Sequence, residues 1–284
     1  MFEELINKYD LLVSEYKSEI ESKMDQQDLV DYNEILFSTH SCAIEGNSFS
    51  VDETRTLAEK GLGMIPNGKT LLEAFEILDH FKAYEYVLNN LDKELSEGLI
   101  KESHRLAMLN TMSYRVRSDT NPSNPGEYTN VDMSAGDTVF GDHKTLISQL
   151  PNLISSTNKA LSDNIHPVIV SARFHGFFEY LHPFRDGNGR VGRLVSNFIL
   201  MKKGLPMIII PIEKRDEYYI QCLKNIRKEG TDEYLVDFFF KVSMERMSNE
   251  LSEKRTLTKK FSNGFNFSSD SENKNKRKPK LKIK

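Results

Sequence analysis

Cysteine is nearly absent from this sequence, which holds only Cys42 and Cys222. Two thiols so far apart give neither a disulfide framework nor the paired spacing of a zinc site. There is no apolar run of roughly 18 residues, so no membrane-spanning helix is expected. The opening residues, MFEELINKYD, lack the basic-then-apolar order of a secretory signal. A cytoplasmic, reduced protein is the expectation. No repeat of fixed period occurs, and no series of buried β-runs is present from which a parallel sheet could be built.

Positive charge is scarce outside one place. The net charge is −4, yet residues 273–284 (NKNKRKPKLKIK) hold seven of the 38 Lys and Arg and no acid. The rest carries 31 basic against 42 acidic residues. An acidic body is a poor nucleic-acid surface. The basic tail is expected to be a disordered, solubilising end, with nucleic acid or an acidic partner as its alternative contacts. The chain has 284 residues, 28% charged and 38% hydrophobic. That is globular composition at a length that buries a sizeable core.

What the chain does have is helical periodicity. Apolar residues recur at helical spacing near 2–23, 27–44, 51–61, 69–92, 97–110, 142–162, 167–181, 188–203, 213–228 and 232–250. Ser50 with Glu53 forms a capping box, and Pro167 sits where a first-turn proline is tolerated. Residues 121–141 resist helix, because Pro, Gly and Asn punctuate them. Tyr128–Met133 and Thr138–Phe140 are short enough to be the two strands of a hairpin. The expected fold is all-α with one small β-hairpin. Three regions follow: an N-terminal helical region (1–95), a core (96–250) and the basic tail (251–284).

One motif is a decoy. Gly63-Met64-Ile65-Pro66-Asn67-Gly68-Lys69-Thr70 matches the phosphate-binding pattern G-x-x-x-x-G-K-[ST]. That pattern works when a strand feeds the loop, so that backbone N–H groups curl around phosphates. Here an amphipathic helix precedes it, and Pro66 removes one donor. A helix–helix turn is expected, with Thr70 near a helix start.

Residues 182–193 carry the chemistry: His182-Pro183-Phe184-Arg185-Asp186-Gly187-Asn188-Gly189-Arg190-Val191-Gly192-Arg193. An apolar helix ends before His182-Pro183. Gly187 and Gly189 flank Asn188, so a tight turn with unusual dihedrals is available. A second apolar helix then starts, with Val191, Leu194, Val195 and Phe198 inward. The turn thus delivers backbone N–H groups to a helix N-terminus, a ready anion site. Arg190 and Arg193, three apart, should face the same way and add fixed positive charge for phosphate. A carboxylate beside phosphates, here Asp186, is useful mainly with Mg²⁺ between them. His182 is a titratable base at the rim. Together these parts describe phosphoryl or nucleotidyl transfer.

HPFRDGNGRVGR resembles the active-site motif of the Fic family, H-x-F-x-[DE]-G-N-G-R-x-x-R, at every fixed position. The resemblance covers roughly residues 25–250. It implies a helical core with a hairpin flap, and transfer of AMP from ATP to a Ser, Thr or Tyr hydroxyl of a target protein or of the chain itself. His182 would be the general base and Phe184 the core anchor. Asp186 would bind Mg²⁺, and Gly187, Asn188 and Gly189 would line the anion hole. Arg190, Val191 and Gly192 complete the nucleotide-binding stretch, and Arg193 would hold the γ-phosphate. The flap would span 126–140 and clamp the target by main-chain pairing, with Gly136, Asp137 and Thr138 near the nucleotide. The paired prolines that often follow the flap are absent. Tyr218 would pack on adenine and Asn225 would follow it.

Upstream, Ser41-Cys42-Ala43-Ile44-Glu45-Gly46-Asn47 resembles the family's inhibitory motif, [ST]-x-x-x-E-[GN]. Ser41 and Glu45 share one helix face. The resemblance implies that Glu45 pairs with Arg193 and blocks the γ-phosphate's place. His175 and His104 are expected as packed histidines, since helical zinc pairs use a spacing of four. Other readings remain: transfer of another phosphate-containing group or removal of AMP on the same scaffold, or a non-catalytic nucleotide-binding adaptor. Intact His182 and Asp186 argue against the adaptor. A homo-oligomer is left open.

Overall fold

The computed structural model describes residues 2–115, 124–135 and 138–262. Among them eleven helices follow one another: α1 (Glu3–Glu19), α2 (Gln26–Ile44), α3 (Val51–Lys60), α4 (Leu71–Leu88), α5 (Glu97–Ala107), the single turn α6 (Met112–Arg115), α7 (Leu146–Ser162), α8 (Pro167–Leu181), α9 (Asn188–Lys202), α10 (Ile220–Glu229) and α11 (Glu233–Ser262). No helix among the described residues is long and apolar enough to cross a membrane.

Local chemistry sets the helix starts. Asp25 caps α2 by accepting from Gln27 N at 2.8 Å. Ser50 with Glu53 and Thr70 with Glu73 form reciprocal capping boxes on α3 and α4, which satisfies donors the first turn cannot. Pro167 opens α8. The centre is α9, whose residues are buried from Arg190 through Leu200. It packs against α8, α5, α4 and α2. One apolar cluster joins Phe37, Tyr84, Leu99, Phe174, Phe184 and Phe198. A second joins Tyr9, Tyr16, Leu200, Tyr219, Leu235 and Phe240.

The N-terminal region packs on the core: Phe37 and Tyr84 share a cluster with Phe174, and the Tyr16 hydroxyl donates to Glu250 at 2.6 Å. Several expectations need correction. Helix α11 runs to Ser262, so the tail expected from 251 starts inside a helix; 263–284 lie outside the described residues. The strand expected at Tyr128–Met133 does not form. Thr129 N donates to Pro183 O (2.8 Å), and the Thr129 hydroxyl both donates to Val131 O and accepts from Val131 N. A side chain that closes a local turn competes with a strand ladder. The pairing that does occur is shorter and displaced: β1 (Ser134–Ala135) lies antiparallel to β2 (Thr138–Val139). Gly136 and Asp137 lie outside the described residues.

The P-loop look-alike is a connector. Gly61–Met64 is a 3₁₀ turn after α3, and Thr70 caps α4. The Lys69 ammonium bonds to Ser48 O and lies 3.2 Å from Glu53, so its donors are committed. Lys69→Ala should therefore leave ATP affinity unchanged by calorimetry and lower stability by at most about 1 kcal/mol, as for a partly exposed pair. A large loss of ATP affinity would contradict this.

Candidate active site

Helix α8 stops at His182, which takes a left-handed conformation (φ 50°, ψ 58°) while its N–H still bonds Phe178 O at 2.9 Å. The chain then turns back within five residues. Phe184 N donates to Asn188 Oδ1 (2.9 Å) and Asn188 Nδ2 donates to Phe184 O (2.7 Å), which locks the turn from inside. Phe184 is fully buried and stacks on His104 with centroids 3.7 Å apart. His104 accepts from Gly126 N at Nδ1 (2.7 Å) and sits 3.0 Å from Asp186 O at Nε2. That assigns its proton to Nε2. Burial lowers its pKa to about 4, so the ring stays neutral.

Gly187 starts α9 with φ 78°, and a Cβ there would strike the Met108 sulfur at 2.7 Å. Both facts require glycine. At Gly189 a Cβ would collide with Glu45 Oε1. The Glu45 carboxylate thus sits on the first turn of α9, where unpaired N–H groups and the helix dipole favour an anion.

Arg193 holds it there. The guanidinium is 4% exposed. Its Nη2 donates to Glu45 Oε1 and to Ser41 O, both at 2.8 Å, its Nε donates to Ser41 Oγ at 3.1 Å, and its Nη1 lies 3.5 Å from the Tyr219 hydroxyl. Burial alone would push the Glu45 pKa up. Arg193, Arg190 and Arg215 outweigh it and hold the carboxyl below its ordinary range. A third of the Glu45 side chain (34%) still faces solvent.

Around this pair lies a buried polar chain. Ser38 Oγ, His80 Nδ1, His80 Nε2 and Ser41 Oγ connect at 2.8 and 3.1 Å. On the other side His175 Nε2 lies 2.6 Å from the Tyr219 hydroxyl. Burial, then Arg193, drives the pKa of both histidines down to about 3.

Arg190 is 1% exposed. It lies 3.5 Å from Asp186 Oδ1 and 4.0 Å from Glu76 Oε1, while its Nε and Nη1 donors find no acceptor among the described residues. Buried donors without acceptors are costly unless a ligand completes them. Asp186 is 32% exposed on its side chain, and Oδ1 also accepts from Gly187 N at 2.6 Å. An accessible carboxylate at an anion cradle suits Mg²⁺, which takes one or two carboxylates together with substrate phosphates.

His182 is partly buried, with its imidazole stacked on Phe140 at 3.7 Å. Burial, and then Arg227, lowers its pKa to about 4. A neutral imidazole beside a phosphate cradle is equipped to take a proton.

Residues 94–200 match the Fic/DOC family model. Protein adenylyltransferase fic-1 of Caenorhabditis elegans is 32% identical over 188 residues, covering 65% of this chain and 35% of that protein. Protein adenylyltransferase Fic of Drosophila grimshawi is 34% identical over 185 residues, covering 63% and 35%. The chain therefore spans about a third of the length of these curated relatives. Among solved structures, a point variant of Fic-1 (residues 134–508) from C. elegans is similar with TM-score 0.73 and 25% identity, covering 89% of this chain and 73% of that one. A Fic domain containing signalling protein from Bacteroides thetaiotaomicron shares the fold with TM-score 0.70 and 23% identity, over 84% and 95%.

The fold brings together His182, Asp186 to Arg190, Arg193, Ser41 and Glu45, and several details were not foreseen. Arg190 and Arg193 diverge, because Asp186 and Glu76 draw one and α2 draws the other. Val191 is fully buried and its N–H is spent on Gly187 O, while Gly192 faces His175 and Glu179. Tyr218 is 46% exposed and stacks on Phe238, and Asn225 accepts from Gln221 Nε2. The tyrosine that meets the motif is Tyr219. A π-helical turn, Arg215–Tyr219, resets the facing of the helix there, a device common at functional sites. His175 and His104 are buried, as expected. Sequence reasoning missed Tyr219, His80, Glu179, Phe140 and Arg227. Only the Tyr218-Tyr219 pair gave a signal, and it did not say which member turns in.

Tyr219→Phe should lower stability by about 1–3 kcal/mol, because it strands His175 Nε2 and one face of Arg193. Chemical denaturation measures this; an unchanged midpoint would contradict the network.

Proposed function

We propose that this chain is a protein adenylyltransferase that moves AMP from ATP to a Ser, Thr or Tyr hydroxyl, and that Glu45 holds it in check. The observation that carries the reading is the pair of buried, unanswered Arg190 donors beside a neutral His182. Buried donors left without acceptors suit phosphate oxygens, and a neutral imidazole suits a hydroxyl that must lose its proton.

The chemistry follows from position. The target hydroxyl oxygen attacks the α-phosphorus of ATP. The bond from that phosphorus to the pyrophosphate oxygen breaks, the proton passes to the His182 imidazole, and pyrophosphate leaves. The N–H groups at Asn188 and Gly189 and the Arg190 guanidinium take phosphate oxygens. Asp186 would hold Mg²⁺, which supplies charge neutralisation between phosphates when bound. Arg193 takes the γ-phosphate and so sets the α-phosphorus in line, once Glu45 has left. Segment 126–140, with Thr138, would pair with the target backbone and border the nucleotide, and Tyr218 and Asn225 would border the adenine side.

Three variants test this with labelled ATP, candidate targets and peptide mass spectrometry. His182→Ala should lose about 10²–10⁴-fold in transfer while ATP binding persists. Glu45→Gly should raise transfer, including to the chain itself. A charge-assisted contact is worth about 1.5–3 kcal/mol, and the solvent-facing third of Glu45 argues for the low end, hence about tenfold. Adding Arg193→Ala should cancel the gain. A mass shift of phosphate or UMP in place of AMP, or release of AMP from modified protein as the sole activity, would replace this reading. So would undiminished transfer by His182→Ala.

A further inference from the structure

Phe140 lies just past β2, and its ring covers the catalytic candidate rather than joining either apolar cluster. It stacks on the His182 imidazole with centroids 3.7 Å apart and planes 15° from parallel. Main-chain bonds fix its position: Phe140 N donates to Met133 O at 3.0 Å, and Gly141 N donates to Tyr180 O at 2.9 Å. Arg227 of α10 places its guanidinium carbon 4.6 Å from the Phe140 centroid and donates from Nη2 to Glu179 O at 2.8 Å. The end of β2, the last turn of α8 and α10 therefore meet at one imidazole.

The stack adds a second restraint on the His182 ring. A histidine base is usually aimed by a hydrogen bond at its second ring nitrogen. The Glu179 carbonyl lies beside the His182 ring but is shared with Arg227 Nη2, and His182 Nδ1 makes no well-formed hydrogen bond to it. The ring's outer torsion is intrinsically broad, and a shared carbonyl holds it only loosely. A face-on aromatic ring narrows it. The same π face attracts a cation, and imidazolium is what the ring becomes once it has taken the proton. The charged or titratable groups that act on the ring are Arg227 from α10, Glu179 from α8 and Glu45 from α2. Burial favours neutral Glu179, with a pKa near 7.

We infer that Phe140 is a positioning residue for the transfer, fixing the plane of the His182 imidazole toward the target hydroxyl and stabilising the imidazolium that forms. The role rests on the adenylyl-transfer reading above. The test uses the full chain carrying Glu45→Gly, with Phe140→Leu and Phe140→Tyr added singly. Leucine keeps apolar bulk without a ring face, and tyrosine keeps the face. Phe140→Leu should lower kcat by about ten- to a hundredfold, as for a misaimed group, with KM for ATP unchanged; Phe140→Tyr should restore kcat. NMR of the His182 Cε1–H should show a ring-current shift in the parent and the tyrosine variant, lost with leucine. A leucine variant at full rate, or one whose KM for ATP rises in step with the fall in kcat, overturns the role. An inactive Glu45→Gly parent that keeps the ring-current shift removes the transfer reading instead, and reduces the stack to packing.

Discussion

A guanidinium with almost no access to water needs an anion, and most of this site answers that need. Arg193 is 4% exposed; removing one partner from such a buried charge is far costlier than the pair itself is stabilising. Glu45 is the anion in the resting chain, brought there by α2. Ser41, Tyr219 and the His80 and His175 branches then fix the guanidinium in one pose. Arg215 donates to Ile44 O at 2.7 Å, so the end of α2 is pinned to the π-helical turn as well. A side chain held this firmly is suited to one anion at a time. Under the proposed function, Glu45 and a phosphate would be alternatives at the same place.

The second constraint is the turn before α9. Gly187 takes a backbone shape that other residues resist, Asn188 closes the loop, and Gly189 leaves room for an oxygen on the helix end. None of these residues performs chemistry. They put the helix N-terminus, Asp186 and His182 within one short span of chain. The buried Phe184–His104 stack ties that span to α5, so the turn is supported from below by the core.

Much of this was legible in the sequence because it is local. The turn from His182 to Arg193, the caps at Ser50 and Thr70, and the shared face of Ser41 and Glu45 all depend on spacing within a few residues. What was not legible depends on contacts between distant segments. Arg190 and Arg193 share a spacing but part toward Glu76 and α2, which no local rule foresees. Tyr219 turns inward because a π-helical turn alters the helical phase, and that register has no sequence signature. The strand expected at 128–133 failed because Thr129 found Pro183 and Val131 first. Phe140 meets His182 only because α8, α10 and β2 converge. The helical periodicity of the other segments survived because it was long and continuous.

The central claim is that Glu45 and the γ-phosphate compete for Arg193. ATP differs from ADP by that phosphate alone, so the most direct measurement is calorimetric affinity for each nucleotide in the intact chain and in Glu45→Gly. The account predicts that the intact chain binds the two about equally and that the variant gains about tenfold for ATP only. An equal gain for both nucleotides, or no gain for either, would contradict it.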